Sequence, residues 1–217
     1  MCSRLSFITT SEKIQKELNI QVEGLLRTSY NISPTQHCYI IKNSIPDQLD
    51  YVTWGMIPHW SLTGKNEGKL IHARAENIIT STSFRIPIRQ RRCLVVVDSF
   101  YDITESNDPK NCKARRFFSP NGELITIAGV WDTWLKDNYE LKSFSIITNK
   151  EDLSLTTRLP LIIQDSEKRR KWLSDIPIDE IVDLLQSTEI IPLDFHYVSY
   201  NELVENTNSF QLHLRID

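Results

Sequence analysis

Many short runs of aromatic and β-branched residues, separated by turn signals and by few helical segments, predict an α+β chain. The expected architecture is a mostly antiparallel curved sheet or barrel with a few peripheral helices. Hydrophobic residues make up 40% of the 217 residues, enough for a sizeable core. The six glycines and nine prolines are scattered, with no repeat, low-complexity tract or linker, so a single domain over 1–217 is expected.

Ser11 to Leu18 reads as a short helix, with Ser11 able to cap and Glu12 in the first turn. Cys38 to Lys42 and Tyr51 to Trp54 read as strands. Cys93-Leu-Val-Val-Val-Asp98 is a continuous apolar run, the pattern of a buried central strand. Asn121-Gly122 is a hairpin signal, leading into Leu124 to Ala128 and a run on to Trp134. Phe144 to Thr148 is a further strand. Ser166 to Leu173 reads as a basic helix with Ser166 at its N-cap, Ile178 to Leu185 as a second helix after Pro177, and His196 to Ser199 as a last strand.

The formal net charge of −3 gives no general attraction to polyanions, so an anion site has to be a local patch. Cys2, Cys38, Cys93 and Cys112 form no C-x-x-C pair and no zinc spacing, and His37, His59, His196 and His213 show no metal pattern. Neither a metal nor a cofactor is expected. No basic segment leads into an apolar run at the N-terminus, and no run approaches membrane-spanning length. A reducing cytoplasm is the expected location.

The start of the chain, Met1-Cys2-Ser3-Arg4, carries distinctive chemistry. Loss of Met1 leaves Cys2 with an α-amine and a thiol on adjacent carbons. These titrate near about 7.7–8.0 and about 8.5, so each has a reactive fraction at neutral pH. An aldehyde meeting the pair forms a Schiff base with the amine, and the thiol then closes a thiazolidine ring. A thiolate can instead attack an amide or ester. On its own, a cysteine at position 2 is more often an ordinary second residue without a chemical role.

Several spaced motifs change those odds. They are Tyr30-Asn31-Ile32-Ser33-Pro34, Trp54-Gly55-Met56-Ile57-Pro58-His59-Trp60, His72-Ala73-Arg74-Ala75-Glu76, Arg92-Cys93-Leu94 leading to Asp98-Ser99-Phe100-Tyr101-Asp102, Ala128-Gly129-Val130-Trp131 and Thr156-Thr157-Arg158-Leu159-Pro160. In this order, anchored by Cys2, they resemble the SOS-response-associated peptidase (SRAP) family of abasic-site processing proteins. The resemblance implies binding of single-stranded DNA at abasic sites and a covalent thiazolidine DNA–protein crosslink through Cys2. It also implies loss of Met1, by an autocatalytic step in the family's peptidase sense, and a monomer that associates with the nucleoid when on DNA.

The same resemblance places the catalytic set at Cys2, His72, Asp102 and Thr156. His72 stands where the family has Asn, Asp102 where it has Glu and Thr156 where it has His. Asp102 can still move protons, one methylene shorter. His72 can hydrogen-bond where Asn did and can titrate near neutral pH, or it can simply pack in a strand. Thr156 has no proton to exchange near pH 7, and its structural reading is the stronger. Ser3 replaces a Gly and narrows the N-terminal backbone. Arg4, Arg74 and Arg158 fall at the family's phosphate contacts, and the implied DNA surface also includes Asn31, Pro34, Trp54, Pro58 and Trp60. Trp54 equally suits a core, while Trp60 lies beside polar Ser61. Arg89, Arg91, Arg92, Lys110, Lys113, Arg115 and Arg116 can widen a basic track, although each alone reads as a solvated charge. Cys93 belongs to the core. Two rival functions remain at this point: a DNA-binding module whose reactive set has decayed, and a cysteine hydrolase acting on peptides in trans.

Overall fold

The structure is a computed structural model that describes residues 2–65, 69–104, 106, 112–152, 157–186 and 192–216. It is an α+β fold of two mostly antiparallel sheets. The first sheet is formed by β1 (Cys2–Phe7), β2 (Ser29–Ile32), β7 (Ser99–Thr104), β8 (Lys113–Phe118) and β12 (Asp194–Val198), in the order β12-β8-β7-β1-β2. The second is formed by β3 (His37–Lys42), β4 (Ile45–Trp54), β6 (Arg92–Val97), β9 (Ile125–Lys136), β10 (Tyr139–Asp152) and β11 (Thr157–Pro160), in the order β11-β10-β4-β3-β6-β9. The short strand β5 (His72–Arg74) runs parallel to β10. Helices α1 (Ser11–Leu18), α2 (Pro87–Gln90), α3 (Ser166–Leu173), α4 (Ile178–Gln186) and α5 (Tyr200–Val204) lie at the periphery.

The apolar run at Cys93 forms the central strand β6, which is buried along its whole length between β3 and β9. Such a run can satisfy its backbone only with a neighbour on each side and is stabilised by having both faces dry. The Ala-Gly-Val-Trp motif shows why a glycine is needed beside it: a Cβ on Gly129 would lie 2.9 Å from Cys93 Sγ and 2.9 Å from the Ser145 carbonyl. Arg92, expected in a basic track, is buried instead. Its guanidinium donates to the carbonyls of Trp172, Ile88, Arg89 and Ser174 and so ties α2 and α3 to the core. Five donors in a rigid fork allow one buried side chain to satisfy four carbonyls, which offsets its desolvation.

Several local expectations are corrected. Thr10, not Ser11, caps α1, accepting from the Lys13 N–H. Asp165, not Ser166, caps α3, accepting from Glu167 and Lys168. Each cap is one residue earlier because the side chain must reach forward to the free N–H groups at N2 and N3. Asn121-Gly122 does not close a hairpin. Gly122 has φ 69°, but β8 before it and β9 after it belong to different sheets, so the turn passes the chain from one layer to the other. The long hairpin is β9–β10 instead, turning at Asp137 with φ 54°.

Candidate active site

The chain start sits between the two sheets. Cys2 opens β1 and is paired in register with Asp102 on β7. The ladder shifts between Cys2 and Arg4, so β1 carries an extra residue, Ser3, between the Cys2–Asp102 and Arg4–Tyr101 pairs. From the other sheet, His72 on β5 donates from Nε2 to the Cys2 carbonyl at 2.5 Å. A carbonyl only accepts, so this bond fixes the neutral ring as the Nε2–H tautomer. Burial lowers the His72 pKa from 6.5 to about 4; the hydrogen bond opposes this, and the charges of Arg158 and Arg74 reinforce it. The Trp54 ring meets the imidazole edge-on, 6.4 Å between centroids, and forms part of its dry surroundings.

Asp102 is buried and paired with Arg115 on the neighbouring strand β8, at 2.7 Å. A surface track is the expectation for Arg115 from sequence; cross-strand register puts it opposite the acid instead. Cys2 is only 1% exposed. Burial drives its thiol well above the ordinary range, and the Asp102 carboxylate pushes the same way. In this state the sulfur is a thiol that donates to the Arg4 carbonyl at 3.8 Å, and Cys2 shares its face of the sheet with Asp102.

The structure thus brings Cys2, His72 and Asp102 together. Thr156 and Lys110 lie outside the described residues. Arg158, on β11, pairs with Glu76 at 2.7 Å, and Arg74, at the end of β5, is exposed. Arg4 is half-buried, donating to the Ser3 carbonyl at 2.9 Å and to Asn206 at 3.4 Å.

Three residues expected on a DNA surface are interior. Trp54 is fully buried, its Nε1 donating to the Ile71 carbonyl at 3.1 Å, because β4 is flanked by β3 and β10 at that point. Pro58 is buried as well. Its loop is pinned by Asp132, which accepts from the His59 backbone N–H and ring and from Arg91. Asn31 is buried and occupied: its amide donates to the Leu203 and Thr207 carbonyls, satisfying the C-terminal end of α5. Pro34 is half-buried, and Trp60, at 52% exposure, is open to solvent.

The profile of the SOS response associated peptidase (SRAP) family matches residues 1–206. The chain belongs to this family. Among its SRAP relatives, "Abasic site processing protein YoqW" of Bacillus subtilis (strain 168) is 31% identical over 211 residues, covering 92% of each chain. "Abasic site processing protein HMCES" of Gallus gallus is 27% identical over 213 residues, 82% of this chain and 63% of that one. An X-ray structure of a Bacteroides thetaiotaomicron protein superposes with TM-score 0.86 at 24% identity, covering 100% of both chains, which establishes the shared fold. Among the described residues no group of His, Cys, Asp and Glu is arranged to hold a metal, and no helix is long and apolar enough to cross a membrane.

Proposed function

We propose that this SRAP chain processes abasic sites in DNA, and that it traps the ring-opened sugar of a single-stranded site on Cys2 once Met1 has been removed. One observation carries the reading: the reactive residue is held from both sides, by register with Asp102 and by the His72 bond to its carbonyl. The names of the relatives support the substrate class. The Cys2 amine adds to the sugar aldehyde and loses water to give an imine. The thiol then adds to the imine carbon, forming the C–S bond, while its proton moves to the nitrogen. The products are one thiazolidine and one water, with no redox partner. In this reading Asp102, opposite Cys2 in the sheet, carries that thiol proton, and Arg115 supplies its counter-charge.

His72 acts here as a positioning residue. Its Nε2–H is committed to the Cys2 carbonyl, and near neutral pH the ring holds no extra proton to give. In this reading Arg74, which is exposed, and Arg158, which pairs with Glu76, bind the phosphates on either side of the sugar. The burial of the Cys2 thiol favours a second reading, a DNA-binding module that does not crosslink.

A denaturing gel separates the two. Wild-type protein incubated with an oligonucleotide bearing an abasic site is expected to give a shifted band that survives heating. Its intact mass should lack Met1. Normal DNA binding without that band supports the binding module.

A further inference from the structure

The ladder that begins at Cys2 continues across the first sheet. Cys2 pairs with Asp102, Asp102 with Arg115, and Arg115 with Tyr197 on β12. Residues directly opposite in antiparallel strands share a face, so this row runs from the candidate site to the sheet edge. Two residues along each strand, Phe100, Phe117 and Phe195 form a second row on the same face. Its inner members are buried, with Phe100 and Phe117 stacked at 5.2 Å. The outer members of the two rows are open: Phe195 is 44% and Tyr197 41% exposed, their rings perpendicular with centroids 6.3 Å apart. Cations accompany them. Exposed Lys113 lies 5.4 Å from the Tyr197 ring centre, and Arg115 lies 5.8 Å from that of Phe195.

We propose that Phe195, Tyr197 and Lys113 form a stacking platform for the single-stranded DNA that flanks the abasic nucleotide. The proposal rests on the reading of Cys2 given above. Binding of single strands needs π-faces for bases next to positive charge for the backbone, and this corner offers both within one patch. It is the exposed outer end of the row whose inner members, Cys2, Asp102 and Arg115, are largely buried. The separation is three strand spacings, about 14 Å, or about four nucleotides of stacked strand. An abasic nucleotide has no base to stack, so affinity has to come from its neighbours, and a platform at this distance supplies it.

The test uses the full chain and oligonucleotides carrying tetrahydrofuran, an abasic analogue without an aldehyde, so that binding stays reversible. One oligonucleotide has about two nucleotides on each side of the analogue; two others extend to about eight on the 5′ or the 3′ side only. Wild type is expected to bind one extended oligonucleotide at least about fivefold more tightly than the short one, the weaker end of single-base stacking. Tyr197→Leu and Phe195→Leu should each shrink that ratio, and Lys113→Gln should lower the salt slope on the extended oligonucleotide by about 0.7. Phe195 packs on Phe117, so Tyr197→Leu decides if Phe195→Leu melts early. A wild-type ratio near one overturns the platform while leaving the Cys2 site intact, as does a ratio unchanged in Tyr197→Leu. A dimer that Phe195→Leu dissociates without changing the ratio assigns the patch to a second copy and overturns it too. If wild type binds none of the oligonucleotides, the Cys2 reading falls and the platform with it.

Discussion

Acid should weaken this protein through His72, and the size of the effect can be worked out in advance. The unfolded chain takes up a proton at this imidazole near pH 6.5, the folded chain only near 4. Between those values the unfolded state binds more protons, so the contribution is complete above about pH 6.5 and is lost as pH falls through the window. The full difference is at most about 3 kcal/mol, of which about 2 kcal/mol is lost between pH 7 and pH 5. For a chain of this size that corresponds to a fall in Tm of about 4–8 °C. His72→Asn removes the titration and keeps an N–H for the Cys2 carbonyl. Burial also lowers the pKa of His213, His37 and His196, but those residues are common to both proteins and cancel in the comparison. Thermal melts from pH 7.5 to 5 should therefore show wild type losing about 4–8 °C more than His72→Asn. Parallel curves would refute the claim that His72 is held neutral against the Cys2 carbonyl.

Other perturbations test the surrounding contacts. Arg115→Met strips the buried Asp102 of its guanidinium partner and should cost about 3–5 kcal/mol in urea unfolding, with most of it recovered when Asp102→Asn is added; equal losses in the single and double variants would show that the pair is not coupled. Arg74→Ala should lower the salt slope of single-stranded DNA binding by about 0.7. Arg158→Ala should weaken binding further, because it also leaves the Glu76 carboxylate unpaired at the site; wild-type curves at all salt concentrations would make both arginines structural. Asn31→Ala should destabilise by about 1–3 kcal/mol through the lost bonds to α5, while the folded variant binds DNA as wild type does; weaker binding at full stability would return Asn31 to the DNA surface.

How legible each feature is in the sequence depends on the kind of information that specifies it. The helix at Ser11 and the strand at Cys93 depend on local periodicity and are legible with nearly their final bounds. The strands that build the site are not. Cys2–Phe7 is short and mixed, and is legible as a motif rather than as a strand. Lys113–Phe118 reads as a basic run because one face packs a small second core through Ala114 while the other carries Arg115 toward Asp102. Neither face is uniformly apolar, so alternation carries no signal. The Asp102–Arg115 pair depends on a register between strands that composition does not encode; the one available clue is an arginine set between Ala114 and Phe117, an unusual place for a solvated charge. Asn31 and Trp54 mark the limit of motif reading: residues that recur in a family pattern can be needed for the scaffold that presents a site rather than for contact with its ligand.

The most direct test of the central claim is to locate the covalent bond. Wild-type protein is reacted with an abasic oligonucleotide, the DNA is digested to the sugar phosphate, and the protein is cut with trypsin, which releases Cys2-Ser3-Arg4. The adduct should lie on this peptide without any reductant, with the mass of one sugar phosphate added and one water lost. Cys2→Ser should carry it only after borohydride. An adduct on a lysine, or none on the N-terminal peptide while DNA binding is normal, would contradict the account.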